Sequence, residues 1–145
     1  MMFQSYALFP HLSVITTLTR AVPAIQHNLV RYGLASRSAK VRAAEIPVLA
    51  LENSRSNTCR KINAEILAAA KEDNCEAIVL GCAGMVDLVR ELSSKHGLPI
   101  IDGVAAAVGL IQMLHQMEVK NSKRGGYAVP SQKKYAGIFA PYAPH

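Results

Sequence analysis

A cysteine held between glycines at the end of an apolar run is the residue of this chain best placed to do chemistry. Residues 76–85 read EAIVLGCAGM: Ala77-Ile78-Val79-Leu80 is a buried strand, and Gly81-Cys82-Ala83-Gly84 is its turn into a helix. A thiol there meets the amino end of the helix and nearby backbone N–H groups, both of which favour negative charge on sulfur. The flanking glycines let a ligand approach the backbone and allow N–H groups to point at an oxyanion. A thiolate so held is a nucleophile or a proton acceptor. The residues alone leave a second reading equally open, in which Cys82 is a small apolar side chain filling a tight turn.

Other groups add less. Thr16 and Thr17, at the end of an earlier β-branched run, offer hydroxyl and N–H groups to a carbonyl or carboxylate, although threonine is an ordinary strand residue. Asp102 is most simply a helix cap. Nucleophilic hydrolysis would need a basic partner, and none of the five histidines falls in a strand-end loop. Cys59 and Cys75 read as packing residues. The three cysteines form no CxxC pair and no zinc spacing with the histidines, so no metal site is expected. A Walker lysine and a GxGxxG loop are both absent.

The elements that must position these residues alternate in type. Leu12–Leu18 is a short β-branched strand. Thr19 can cap the next helix, with Pro23 in its first turn and Val22, Ile25, Leu29 and Tyr32 on one face up to Gly33. A second strand falls near Ala39–Ala44. A polar loop over residues 53–57, capped by Ser56 or Asn57, leads to a helix burying Ile62, Ile66, Leu67 and Ala70. After the third strand a helix from Val86 carries Leu88, Val89 and Leu92 inward and stops at Gly97. Residues 98–101 form a fourth strand, and Asp102 caps an alanine-rich helix to about Met117. This alternation predicts an α/β fold: a small doubly wound parallel sheet of four strands with helices on both faces. Ligands of such sheets bind beyond the carboxyl ends of the strands, where Thr16-Thr17, Cys82 and Asp102 all lie.

Half of the residues are hydrophobic, which excludes a disordered chain. No apolar run reaches the roughly 18 residues needed to cross a bilayer, and the first ten residues lack the basic start of an export signal. An odd number of cysteines without a framework points to free thiols and a reducing, cytoplasmic setting. The net charge of +6 is concentrated in the last quarter at Lys120, Lys123, Arg124, Lys133 and Lys134. That segment lacks the aromatic–basic alternation of an RNA module, so it reads as a solvated tail rather than a nucleic-acid surface. Salt-dependent binding would be the mark of the opposite case.

EAIVLGCAGM, the following LPIIDGVAAAVGL and SKRGGY, with the earlier LSVITTLTRAVPAIQHNLVRYGL and VRAAEIPVLALE, together resemble the aspartate/glutamate/hydantoin racemase superfamily, on the branch of hydantoin and allantoin racemases. The resemblance runs from about Leu12 to Gly137. It implies a fold of two similar α/β halves with the active site between them. Each half supplies one cysteine: a thiolate takes the proton from the chiral carbon, and a thiol delivers one to the opposite face, without a cofactor. By position, Cys82 matches the second catalytic cysteine. Gly81, Ala83 and Gly84 match its loop, and Thr16 and Thr17 match substrate-binding threonines. The implied substrate is allantoin or another 5-substituted hydantoin.

The same resemblance implies a departure. The family's first half and its cysteine have no counterpart in the sequence, and neither Cys59 nor Cys75 has a matching context. The expected organisation is an irregular lead-in over residues 1–11, a half-domain over 12–102, and a helix and basic tail over 103–145 that would pack on the first half. The face Val104, Ala105, Val108, Ile111 and Leu114 is then left as an apolar patch. Two expectations of different kind follow. One is a racemase without its first catalytic cysteine, in which a homodimer would bring two Cys82 residues face to face. The other is a catalytically silent domain that binds a ureide or carboxylate or serves as an interaction module.

Overall fold

The computed structural model describes residues 11–143 except Ser54 and Gln132, with only the backbone for residues 52, 53, 55 and 56. The lead-in expected over residues 1–11 therefore lies almost wholly outside the described residues. Four strands form one sheet: β1 (Leu12–Thr16), β2 (Ser38–Ala43), β3 (Ala77–Leu80) and β4 (Ile100–Asp102). Their order is β2-β1-β3-β4, and every pairing is parallel. Leu12–Ile15 of β1 lies in register with Ala77–Leu80, and Leu80 pairs with Asp102. The doubly wound parallel sheet expected from the alternating pattern is thus present.

Each crossover carries a helix. Helix α1 (Val22–Arg31) joins β1 to β2. The short α2 (Ala50–Asn53) and long α3 (Arg55–Glu72) join β2 to β3, and α4 (Val89–His96) joins β3 to β4. The first crossover steps outward from β1, whereas the next passes back over it, so right-handed connections put α1 and α3 on opposite faces. The packing agrees. Ile15, Ile78, Leu80 and Ile100 of the sheet form one apolar cluster with Ile62, Ile66, Ala69, Leu88 and Leu92. On the other face, Val14 and Ile25 come together above Gly81. Burying each large aliphatic side chain of the cluster contributes about 1.5–3 kcal/mol.

Several local expectations are revised. The polar run 53–57 is not a loop but the end of α2 and the start of α3, tied by Thr58 Oγ1 donating to the carbonyl of Ala50 at 3.1 Å. The side chain of Ser56, one of the two expected caps, is outside the described residues. The buried face of α3 is Ile62-Ile66-Ala69, while Leu67 is 60% exposed and Ala70 is also exposed. Steps of four and three residues keep one azimuth on a helix, and Leu67 stands about 100° away from Ile66. Thr19 does not cap α1. It opens a 3-10 turn (Thr19–Ala21), and its N–H and hydroxyl both go to Glu45 Oε1.

A buried ion network that the sequence pattern did not reveal anchors β1, β2 and the end of α3. Arg42 grips Asp73 with two bonds of 2.6 Å, from Nε to Oδ2 and from Nη2 to Oδ1, and reaches Glu72 at 2.7 Å. Ser13 Oγ donates to the same Asp73 at 2.9 Å. Arg42 reads from sequence as one more strand residue; only the register shows that it faces the carboxylates ending α3.

A second tie joins α3 to α4. His96 Nε2 donates to Asn63 Oδ1 at 2.5 Å, and Asn63 Nδ2 donates to the carbonyl of Cys59 at 2.7 Å. Burial, then the neighbouring Lys95 charge, pushes the His96 imidazole below its ordinary value of 6.5. The folded state thus resists protonation more than the unfolded chain does. This contribution to stability is expected to be complete above about pH 6.5 and to fade as the pH drops below it. The midpoint of urea unfolding, followed from pH 7.5 to 5, should fall in the wild type, and less in His96→Gln.

The chain divides into two compact units, Met1–Gly109 and Leu110–His145. The division falls inside α5 (Gly103–Gln116). No residue of α5 is buried, and Val104, Val108, Leu110 and Ile111 are all exposed. The second unit holds two 3-10 turns, Gly125–Tyr127 and Gly137–Tyr142. No helix among the described residues is long and apolar enough to cross a membrane.

Candidate active site

The strand order reverses at β1: β2 lies on one side of it and β3 on the other. The crevice between the carboxyl ends of β1 and β3 is therefore the switch point at which open parallel sheets bind ligands. Gly81 donates its N–H to the carbonyl of Ile15 at 2.8 Å, which carries the register one residue past β3 and sets the Cys82 loop beside Thr16-Thr17. The loop after β2 is laced to the same place. Ala44 N–H donates to Thr16 O at 3.0 Å, and Ile46 N–H to Thr17 O at 2.9 Å. Thr16 and Thr17 are buried, with 2% and 6% exposure, so their contribution to a crevice is mainly through their backbone and the shape they give it.

Cys82 has extended backbone angles (φ −144°, ψ 129°) and is half-buried against the edge of the apolar cluster. The segment after it is a 3-10 helix, Ala83–Leu88, before α4 begins at Val89, and the cysteine side chain makes no capping bond. The helix expected from Val86 becomes α-helical only at Val89: Met85 and Leu88 are drawn into the core at a three-residue step, which suits a 3-10 turn. The N–H groups of Ala83 and Gly84 open this turn and have no acceptor within it.

The two glycines of the loop are explained by crowding rather than by backbone angle, because neither has a positive φ. A Cβ on Gly81 would lie 3.3 Å from Val14 Cγ1 and 3.4 Å from both Ile15 O and Ile25 Cδ1. One on Gly84 would lie 2.8 Å from Leu51 Cδ1 and 3.9 Å from Cys82 Sγ. Gly84→Ala must therefore shift the methyl end of the half-buried Leu51 side chain, and it is expected to destabilise the fold by about 1 kcal/mol or less in thermal unfolding.

The other two cysteines are placed elsewhere. Cys75 precedes β3, at the opposite end of that strand from Cys82, and burial pushes its thiol up from the ordinary value. Cys59 sits on α3 beside a cleft lined by Asn63, Leu67 and Lys95, among others. Neither lies in a loop that directly follows a strand. Asp102 ends β4, but its Oδ1 accepts the N–H groups of Val104 and Ala105 at 2.7 and 2.9 Å, so it caps α5 as expected.

The loop Glu45-Ile46-Pro47 is a strand-end loop by the alternation of elements, but the conformation and partner of Glu45 escaped sequence reasoning. Glu45 follows β2 with φ +49°, the left-handed region that glycine prefers, and its Oε1 accepts both Thr19 bonds. Lys61 Nζ donates to the Glu45 carbonyl at 2.6 Å. The bond from the Thr19 hydroxyl, followed by that from its N–H, holds the Glu45 carboxyl below the usual value. A glutamate before Ile-Pro carries no sequence mark of a left-handed turn, so only the backbone could disclose it.

Comparison with known proteins places this arrangement. The family model described as Asp/Glu/Hydantoin racemase matches residues 1–111, including the first ten residues that the sequence motifs did not cover. The chain belongs to the Asp/Glu/hydantoin racemase family. A hydantoin racemase from Rhizobium meliloti is 46% identical over 125 residues, which are 86% of this chain and 52% of that relative. One from Pseudomonas sp. (strain NS671) is 34% identical, over 86% of this chain and 50% of the relative. Among solved structures, an allantoin racemase from Klebsiella pneumoniae superposes with a TM-score of 0.84 at 35% identity, over 99% of this chain and 59% of that one. An allantoin racemase from Pseudomonas fluorescens gives 0.79 at 37% identity, over 92% and 57%. The chain thus spans about half the length of the curated racemases it matches, and the parallel sheet is that of the allantoin racemases.

Proposed function

We propose that Cys82 is an acid/base residue for proton transfer at the ring carbon of allantoin or another 5-substituted hydantoin. The observation that carries this reading is the position of the thiol: half-exposed at the carboxyl end of β3, beside β1, where the strand order reverses. In the reaction, the Cys82 thiolate takes the proton from the chiral ring carbon, and the electron pair moves onto the adjacent carbonyl as an enolate. Backbone N–H groups of Ala83 and Gly84 suit the stabilisation of that oxygen. Reprotonation from the opposite face inverts the centre and needs a second proton donor; reprotonation by Cys82 itself returns the starting hand. No cofactor enters either step.

This separates two observable events. Exchange of the ring hydrogen with D2O needs one thiolate, whereas inversion needs donors on both faces. Exchange and racemisation, each corrected for the non-enzymatic background, should therefore be measured in parallel for the wild type and Cys82→Ser. Absence of both above background would refute the enzymatic reading.

A second reading is favoured by the placement of Cys59 on α3 and of Cys75 before β3, which leaves Cys82 as the one thiol, among the described residues, in a loop that directly follows a strand. On that reading the domain binds a ureide or carboxylate without turning it over. Ligand-induced shifts with no exchange would distinguish it. A homodimer pairing two Cys82 thiols would instead restore inversion, and light scattering showing only monomer at the assay concentration removes that arrangement.

A further inference from the structure

We propose that Glu45 is a positioning residue for the reaction: its carboxylate holds the loop after β1 so that the Ala83 N–H stays free for the enolate oxygen. This rests on the reading of Cys82 as the proton-transfer residue. The strand register carries the inference. Ile15 pairs with Leu80, and Gly81 donates its N–H to the Ile15 carbonyl at 2.8 Å. In a parallel ladder such bonds recur at every second residue. The next rung toward the Cys82 loop would run from the Ala83 N–H to the carbonyl of Thr17. Among the described residues that rung is not made. The Thr17 carbonyl accepts the Ile46 N–H instead, at 2.9 Å, from the loop after β2.

Glu45 makes that diversion. Ala44 donates to the Thr16 carbonyl at 3.0 Å, so a regular ladder would carry Ile46 to the carbonyl of Leu18. The left-handed turn at Glu45 shortens the step, and Ile46 meets Thr17. Glu45 then fastens the loop beyond Thr17, because its Oε1 accepts the N–H of Thr19, at 2.9 Å, and the Thr19 hydroxyl. Lys61 Nζ donates to the Glu45 carbonyl at 2.6 Å and ties this clamp to α3. With the carboxylate gone, the Thr17 carbonyl has a competing donor at the next rung, the Ala83 N–H. An N–H bonded to Thr17 is lost to the enolate, whose oxygen needs donors already in place.

Glycine adopts the turn without a carboxylate, so Glu45→Gly separates the turn from the clamp, and Thr19→Val opens the clamp from its other end. Both positions are exposed, and a thermal melt verifies that each variant folds. Amide hydrogen exchange, read by NMR on the full chain, follows the rung itself. In both variants the Ala83 N–H is expected to gain protection and the Ile46 N–H to lose it. The KM for exchange of the hydantoin ring hydrogen in D2O should rise about 10-fold with kcat within about twofold, as when the competent state falls to about a tenth. Glu45→Gln keeps an oxygen where both Thr19 bonds end and should recover most of both effects. Unchanged amide protection and KM in Glu45→Gly would overturn the inference, since the turn alone would then suffice. So would a loss confined to kcat that Glu45→Gln fails to rescue. Altered protection in variants of a wild type that shows no ring-hydrogen exchange would refute the racemase reading and leave the diversion of Thr17 standing. Exchange that depends on Cys82 but is indifferent to Glu45→Gly and Thr19→Val would do the reverse.

Discussion

Removing the Cys82 sulfur is expected to lower the enzyme-dependent rate of ring-hydrogen exchange by about 10²–10⁴-fold, the range lost when a positioned acid or base is deleted. Cys82→Ala should show the full effect. Cys82→Ser, which keeps the size of the side chain but offers a far weaker acid, should be nearly as impaired. The effect belongs to chemistry rather than folding, because Cys82 is only half-buried and makes no capping bond that its loss would break. Thermal midpoints close to the wild type would establish that. Cys59→Ala is the control: it alters a thiol on α3 that lines a separate cleft with Asn63, Leu67 and Lys95, and should leave the exchange rate within a factor of two. If Cys59→Ala abolished exchange while Cys82→Ala did not, the assignment of the acid/base residue would be wrong.

The largest expected effect on stability comes from Asp73, beside Ser13 near the amino end of β1. Its side chain is 5% exposed and holds Arg42 by two short bonds while accepting Ser13. Asp73→Ala leaves a buried guanidinium without its main counter-charge, and breaking a buried pair in this way costs about 3–5 kcal/mol. That is a large part of the stability of a small domain. The Arg42 guanidinium also holds the Asp73 carboxyl below its ordinary value of 3.8. The sign of the pH dependence follows. The carboxylate contribution is fully present above that value and is lost as the pH falls through the depressed folded one. Acid unfolding of the wild type should therefore sharpen below about pH 4, and Asp73→Asn should flatten that limb while lowering stability at pH 7. Urea titrations at pH 7 and pH 3.5 measure both.

Much of the fold is legible from local pattern because strands and helices of this domain obey their periods. Ala77–Leu80 is a continuous apolar run, as a strand covered on both faces must be, and its limits are those read from sequence. Gly97 ends α4 in the left-handed conformation that a glycine at a helix end announces. The failures share another cause. Residues 53–57 are polar enough to be a loop, yet a hydrogen bond from Thr58 to Ala50 helps two helices meet there. Leu67 is apolar by type but stands off the azimuth fixed by Ile62 and Ile66, and periodicity over a short window did not decide between the two faces. Arg42 and Glu45 lay beyond local pattern altogether, since their roles depend on partners 31 and 26 residues away. At the candidate site, position was readable and environment was not. The loop after β3 followed from the strand and its glycines, whereas the burial of Thr16-Thr17 and the 3-10 turn after Cys82 arise from packing.

The left-handed turn at Glu45 links the histories of two positions. Glycine would adopt that backbone with least resistance, yet the glutamate carboxylate is matched by two bonds from Thr19. Thr19 and Glu45 should then be replaced together or not at all. A library randomised at position 45 in a Thr19→Val background is expected to return glycine or asparagine, whereas in the wild-type background it should retain acidic residues. Covariation between two residues near the ends of β1 and β2 would be the evolutionary trace of a single strained peptide.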